Sequence, residues 1–274
     1  MAGCVSASHL QRRRHRRAGS LSCAASPPPQ LPDDAPPAER EPLWRVPWDT
    51  GVAVSVSGRF LLLWTCFGYL ALPLLEQVVG HPLSLGERST LQLPLELCKG
   101  AALAQLLSSS LRPFAPLPPP LLVFAPAELP VAASLAGASL LGLVGLAAGA
   151  ASPPLQSATA AQLSALLAAP GPPAWSLWAS ALLVAPPLEE TFFRGFLLPS
   201  LCAHAQPLTA VALQAALFAA LHFNASNTQE LVQTFAVGCS LGVLTLKARG
   251  NLAAPIAAHA AYNALTLTLL TPHV

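Results

Sequence analysis

The stretch Leu188-Glu189-Glu190-Thr191-Phe192-Phe193-Arg194-Gly195 places three ionisable side chains inside a long apolar segment, residues 175–201. An ionisable side chain at membrane depth costs about 2.5–3.5 kcal/mol even on the lenient insertion scale. Such side chains are retained where they pair with one another or carry out chemistry. The stretch therefore predicts the acidic half of an active site within a membrane.

The composition of the whole chain favours a membrane protein. Of its 274 residues, 53% are hydrophobic and only 9% are Asp, Glu, Lys or Arg, whereas soluble domains contain about 25% charged residues. Apolar runs of about 20 residues indicate helices rather than the shorter alternating strands of a barrel. We predict an all-α fold, a polytopic transmembrane helical bundle of about six to seven spans in a lipid bilayer. The net charge of +2 gives no reason to expect a nucleic-acid partner.

Seven apolar runs are candidates for these spans: 60–79, 95–111, 130–150, 175–201, 208–223, 231–246 and 252–270. The second run is the weakest because it contains Glu96 and Lys99, and we expect a short or partly interfacial helix there. A proline-rich connector follows it, in which helices rarely survive. If all seven runs span, alternation places Arg112, Lys247 and Arg249 on the same side as the N-terminus.

The N-terminal region is basic and then rich in proline. Five arginines lie between positions 12 and 17, and no acidic residue precedes Asp33. This composition is typical of an organelle transit peptide, whereas a secretory signal has an apolar core after its basic residues. We predict a transit peptide at 1–25 that directs the chain to a plastid membrane; the alternatives are a mitochondrial membrane, or a basic tail that stays attached. Residues 26–50 are predicted to be a linker that buries nothing, followed by N-terminal membrane helices over 51–172 and a C-terminal core over 173–272 that contains the opening stretch.

Helical spacing separates the three charges of the opening stretch. Glu190 and Arg194 are four residues apart, so they share a helix face and can pair. Glu189 points about 100° away, which leaves its carboxylate for general-base chemistry. Pro186 and Pro187 should loosen the helix one turn earlier and open backbone groups toward a cavity.

Two later spans carry polar groups at the same spacing. Phe218 and His222 are four residues apart, and so are His259 and Asn263. A carboxylate and a histidine can polarise a water molecule, and a histidine with an amide can stabilise the negative charge on a carbonyl oxygen. Each residue alone also has a simpler interpretation, since a lone histidine often only packs and asparagine often joins membrane helices.

A metal site is a further alternative. Glu189, His222 and His259 could hold zinc, but the sequence lacks a close ligand spacing such as His-Glu-x-x-His. The six cysteines form neither a Cys-x-x-Cys pair nor a disulfide framework. We therefore predict no cofactor and no zinc site from cysteine, and a zinc site at Glu189 and the two histidines stays an alternative.

Three motifs together resemble a known family. Glu189-Glu190-x-x-x-Arg194-Gly195, Phe218-x-x-x-His222 and Pro255-Ile256-x-x-His259-x-x-x-Asn263 are similar, in this order, to the motifs of the CAAX prenyl protease type 2 and bacteriocin-processing family (CPBP or ABI), the glutamate intramembrane proteases. The resemblance covers about residues 174–272. It implies a metal-independent endopeptidase that acts on membrane-protein or peptide substrates.

The resemblance also implies roles for individual residues. Glu189 and His222 would activate the water, and His259 and Asn263 would stabilise the oxyanion. Glu190, Arg194 and Phe218 would support them. The transit-like N-terminus argues against CAAX processing as such, which belongs to secretory-pathway membranes. The family includes members that look like scaffolds, so a non-catalytic membrane scaffold or regulator with the same fold is the alternative function, and a metal-ion carrier is the third.

Overall fold

The computed structural model describes residues 43–126, 158–168, 171–222 and 229–270. These residues belong to one compact unit, Pro42–Val274. In the described ranges the regular structure is helical, apart from one isolated parallel bridge between Val123 and Asn251. The predicted all-α bundle is confirmed, whereas the predicted transit peptide at 1–25 and the apolar run at 130–150 lie outside the described residues.

The first helical segment runs over Thr50–Val79 and has three parts: α1 (Thr50–Thr65), a π-helical turn (Cys66–Leu70) and α2 (Ala71–Val79). It begins before the predicted run because the Asp49 side chain caps it, accepting a hydrogen bond from Val52 N at 2.9 Å. Among the described residues this is the one helix long and apolar enough to cross a membrane by length and composition. Only 11% of its apolar window is buried, so the segment presents an apolar face suited to lipid.

The weak second run forms a full helix. α3 spans Leu85–Leu111, 27 residues, which corresponds to about 40 Å. It begins with a reciprocal capping box between Ser84 and Glu87. Its two central charges are buried and paired, with Lys99 Nζ 2.8 Å from Glu96 Oε1. The prediction of a short helix is therefore wrong, because mutual pairing lets these charges lie inside the bundle.

The remaining described helices complete the bundle. They are α4 (Ala158–Ala168), α5 (Pro172–Ala179), a π-helical turn (Ser180–Val184), α6 (Ala185–Phe192), a second such turn (Phe193–Leu197), α7 (Leu198–Cys202), α8 (Pro207–Leu221), α9 (Gln229–Lys247) and α10 (Ala253–Leu270). α3 packs on α1 and α5, α8 packs on α9, and α10 packs on α6 and α9. The helices that carry the three predicted motifs therefore meet.

The residues just before α1 are packed against the bundle. Trp44 and Trp48 are buried, and Trp48 Nε1 donates to Ser200 Oγ at 2.9 Å. The prediction of a linker that buries nothing is wrong for residues 43–49, because the two indole rings bury large apolar surfaces.

The proline-rich connector crosses one end of the bundle. After a short 3-10 turn at Arg112–Phe114, its described residues form no α-helix, as predicted. The Asn251 side chain accepts a hydrogen bond from Ala125 N at 3.1 Å and donates one to Ala125 O at 3.0 Å. These bonds hold the connector after Arg112 against the turn after Lys247, which agrees with the predicted placement of both basic residues on one side.

α8 and α9 approach closely where α9 carries glycine. A Cβ atom on Gly238 would lie 3.0 Å from Ala215 Cβ and 3.1 Å from Ala215 Cα. A Cβ atom on Gly242 would lie 2.9 Å from Gln214 Nε2. Because the two glycines are four residues apart, they share the face that meets α8, and small residues at this spacing allow membrane helices to pack closely.

We predict that Gly238→Ala destabilises the bundle by about 1–3 kcal/mol, since an added methyl group in a packed interface forces neighbours apart. Thermal unfolding of the detergent-solubilised full chain would show a lower midpoint. The matched control is Gly58→Ala in α1, where a Cβ atom would meet nothing within 4 Å and alanine favours the helix. Equal midpoints for both variants would contradict the close approach of α8 and α9.

Candidate active site

The centre of the site is a buried ion pair. Arg194 Nη1 donates to Glu190 Oε1 at 2.8 Å, and both side chains are fully buried. Arg194 Nη2 donates to Gly238 O at 3.1 Å, and the same carbonyl accepts from Gln214 Nε2 at 3.0 Å. The structure thus brings together the pair that the spacing predicts, and the arginine also joins the α6 segment to α9.

Glu190 orients one of the two histidines. His259 Nδ1 lies 2.8 Å from Glu190 Oε1, the oxygen that also accepts from Arg194. A carboxylate paired with arginine is ionised and only accepts, so His259 Nδ1 carries the hydrogen. The other ring nitrogen, Nε2, lies 3.9 Å from Glu189 Oε2.

The second histidine reaches the same carboxylate from the end of α8. His222 Nδ1 lies 2.8 Å from Phe218 O and must donate, because a carbonyl only accepts. His222 Nε2 is therefore the unprotonated nitrogen of the neutral ring, and it lies 3.9 Å from Glu189 Oε2.

The Phe218 ring holds these groups apart. Its centroid is 4.5 Å from that of His222, 6.0 Å from that of His259 and 4.8 Å from the Arg194 guanidinium carbon. Phe218 is itself buried. An apolar wall in this position separates the ion pair from the cavity side of His222.

Both histidines converge on Glu189. This residue is only 5% exposed, and its Oε2 atom has no hydrogen-bond partner in the described part of the chain. A separation of 3.9 Å is too long for a direct hydrogen bond. It allows one water molecule to bridge the carboxylate and a ring nitrogen, which is the contact a general base requires.

Asn263 joins the site through backbone groups that the proline pair sets free. In the π-helical turn, Ala185 N donates to Ser180 O rather than to Ala181 O, and Pro186 has no N–H to replace that bond. Asn263 Nδ2 donates to Ala181 O at 2.8 Å. One N–H of the amide thus ties α10 to the loosened turn, and the second is left for a ligand.

A cavity of about 490 Å³ connects these groups. Glu189, His222 and Asn263 line it, whereas His259 reaches it only through the direction of its Nε2 atom toward Glu189. Ser180 also lines the cavity, and its buried hydroxyl has no hydrogen-bond partner among the described residues.

The opposite wall of the cavity comes from the helices that precede the predicted motifs. Its polar and aromatic members are Trp64, Arg88, Ser89, Gln92, Glu96 and Lys99. Sequence reasoning missed these residues as part of the site. Their one signal was the unusual charge of Glu96 and Lys99 in an apolar run, and helical spacing alone does not reveal which neighbour such charges face.

The spacing of the three central side chains suits water better than zinc. Ligands about 2.0–2.2 Å from a tetrahedral zinc ion lie roughly 3.3–3.6 Å from one another, which is less than the 3.9 Å between Glu189 and each histidine. No group of three His, Cys, Asp or Glu side chains in the described ranges is placed to hold a metal ion. The described cysteines are free.

Comparison with known proteins found a match to one family model. Residues 171–265 match the family model of type II CAAX prenyl endopeptidases that are Rce1-like. The match begins at the start of α5 and ends within α10, so it contains every residue of the three predicted motifs and excludes the cavity wall from α1 and α3. No curated protein and no solved structure matches the chain.

We predict that Glu190→Ala and Arg194→Ala each destabilise the protein by about 3–5 kcal/mol, because each leaves the other charge buried without its partner. Arg194→Lys should not restore stability, since an ammonium group cannot reproduce the two-sided contact with Glu190 and Gly238 O. The measurement is thermal unfolding of the full chain in detergent.

The control is the ion pair between Arg88 and Glu76, whose side chains are 47% and 20% exposed. Arg88→Ala should cost less than about 1 kcal/mol. A comparable loss of stability at both pairs would show that burial does not increase the contribution of the Glu190–Arg194 ion pair.

Proposed function

We propose that the chain is an intramembrane endopeptidase of membrane-associated substrates. Its residues 171–265 match the family model of Rce1-like type II CAAX prenyl endopeptidases. The observation that carries this proposal is the convergence of two histidine Nε2 atoms on Glu189 Oε2, each at 3.9 Å. These groups stand in a cavity inside a bundle with an apolar outer face, where a peptide and a water molecule can meet.

The water is held by two acceptors. Glu189 Oε2 and the unprotonated His222 Nε2 each accept one hydrogen from it, which directs an oxygen lone pair at the carbonyl carbon of the substrate. As the new C–O bond forms, Glu189 takes the proton and the carbonyl electrons move to oxygen. When the tetrahedral intermediate collapses, the C–N bond breaks and the same proton passes to the leaving amine.

The oxyanion is stabilised by groups from α10. Because His259 Nδ1 already donates to Glu190, its Nε2 atom can donate only in the imidazolium form. That form has a hydrogen on Nε2, the ring nitrogen that faces Glu189. The second N–H of Asn263 is the other donor, and pre-oriented donors of this kind are among the largest contributions to catalysis.

The proposed partners of the chain are the lipid bilayer and a membrane-protein or peptide substrate. The proposed reaction uses no metal, because the carboxylate and histidine polarise the water themselves. The proposed location is a plastid membrane, with a mitochondrial membrane as the alternative, and it rests on the composition of residues 1–25.

The alternative function is a non-catalytic scaffold or regulator with the same fold. The ion pair of Glu190 and Arg194 is equally useful to a scaffold, because it joins helices. Glu189 Oε2 is different, because it lies 3.9 Å from both histidine Nε2 atoms on a residue that lines the cavity, and it adds no hydrogen bond between helices in the described part of the chain. This oxygen favours the enzyme over the scaffold.

Glu189→Gln and His222→Ala should each lower cleavage by about 10²–10⁴-fold, the usual contribution of a general base. Asn263→Ala should lower it by about 10²–10³-fold, as expected for one oxyanion donor. The assay uses the purified full chain and an internally quenched, farnesylated CAAX peptide, because the matching family model is that of CAAX prenyl endopeptidases. Photocrosslinking of Glu189→Gln in native membranes captures physiological substrates.

His204→Ala is the matched control, because His204 lies in the turn after α7, does not line the cavity and contacts Thr50. It should leave cleavage and accumulation unchanged. Full complementation of a null phenotype by Glu189→Gln would overturn the proposed enzyme and favour the scaffold.

A metal-independent reaction predicts that dialysis against EDTA leaves the cleavage rate within about twofold of the untreated protein, because no step needs a Lewis acid. Metal analysis of the same sample provides the comparison. Loss of activity that added zinc restores would contradict the proposed water activation.

A further inference from the structure

The first helical segment donates two hydrogen bonds to the backbone beside His222. Trp64 Nε1 donates to Leu221 O at 3.3 Å, and Tyr69 Oη donates to the same oxygen at 3.1 Å. Leu221 is the last residue of α8 and immediately precedes His222. Both donors lie outside the stretch that matches the family model.

The end of α8 needs donors from elsewhere. The last carbonyl groups of a helix have no partner within it, and lipid offers no water in their place. His222 donates hydrogen bonds to two of these carbonyls. Its Nδ1 atom donates to Phe218 O, and its backbone N donates to Ala219 O at 3.0 Å. Leu221 O lies beyond these bonds, and among the described residues its donors come from the first segment.

The π-helical turn at Cys66–Leu70 makes this double contact possible. Residues five apart in a regular α-helix point about 140° away from each other, so Trp64 and Tyr69 would face different neighbours. Within the turn, Ala71 N donates to Cys66 O, one residue farther back than in an α-helix. The extra residue brings Tyr69 round to the side of Trp64.

The buried charges of α3 hold Trp64 in place. Lys99 Nζ lies 4.1 Å from the centroid of the Trp64 ring, and Glu96 holds the lysine. Gln92 Nε2 in turn donates to Glu96 Oε1 at 3.0 Å. The Trp64 centroid is 5.7 Å from that of the His222 ring, so the indole packs between α3 and the histidine.

We propose that Trp64 and Tyr69 are positioning residues for His222. They hold the end of α8 through Leu221 O and thereby keep His222 Nε2 directed at Glu189. The role rests on the proposed function, in which His222 holds the attacking water. Because both donors share one acceptor, each partly replaces the other when one is lost.

A double-mutant cycle with Trp64→Phe and Tyr69→Phe tests this role. Each single variant should lower kcat on the quenched, farnesylated CAAX peptide by about threefold, and the double variant by about thirtyfold or more. The excess over the product of the single effects arises because only the double variant removes both of the donors that the described part of the chain provides to Leu221 O. KM should change by less than about twofold.

Two substitutions of the same chemical type are controls. Tyr262→Phe removes the chain's other phenol, which accepts a hydrogen bond from Gln233, and Trp175→Phe changes an indole that is 74% exposed. Both should leave kcat unchanged. A double variant whose loss equals the product of the single losses, or whose thermal midpoint falls while kcat is retained, would overturn the positioning role.

Nitrogen NMR of isotope-labelled histidine gives a readout independent of cleavage. The wild-type chain should show His222, assigned by comparison with His222→Gln, as a single Nδ1–H tautomer. The Trp64→Phe/Tyr69→Phe variant should show a mixture of tautomers or two sets of signals. A wild-type chain that does not cleave the peptide counts against the proposed function alone, whereas unchanged His222 signals in the double variant overturn the positioning role.

Discussion

A buried arginine in a bundle of apolar helices must satisfy its hydrogen-bonding groups within the protein. Arg194 is enclosed at the centre of this bundle, and it donates to Glu190 on its own helical segment and to Gly238 O on α9. Glu190 in turn accepts from His259 on α10. One ion pair thus sets the relative positions of three helices, because a shift in any of them would leave a charge or a carbonyl without its partner.

The same constraint separates the two adjacent glutamates. Glu190 is engaged through its Oε1 atom by the arginine and the histidine, whereas Glu189 lines the cavity and its Oε2 atom lies 3.9 Å from both histidine Nε2 atoms. Irregular helical turns then bring in the remaining groups. The turn at Ser180–Val184 frees Ala181 O for Asn263, and the turn at Cys66–Leu70 aligns two donors on Leu221 O. In both turns, the irregular backbone geometry allows hydrogen bonds between helices that a regular α-helix would not make.

Local spacing predicted much of this site. The pairing of Glu190 with Arg194, the proximity of Phe218 to His222 and the loosened turn before Pro186 all follow from helical periodicity and from the missing N–H of proline. Local spacing does not predict the full extent of α3, because Glu96 and Lys99 each weaken an apolar run but are buried here as a pair. Trp44 and Trp48 were assigned to a linker because the surrounding residues are rich in proline, although both rings are buried in the bundle.

The sequence by itself determined the helical class, the order of the polar groups and the pairing of Glu190 rather than Glu189 with Arg194, because these depend on residues within about one helical turn. Only the tertiary structure decided which groups meet across helices. Trp64 and Tyr69 lie more than 150 residues from Leu221, and Gln214 meets Arg194 at a glycine of a third helix. Such contacts depend on how each helix is rotated and how closely it packs, and the periodicity of one segment is the same for every rotation about its axis.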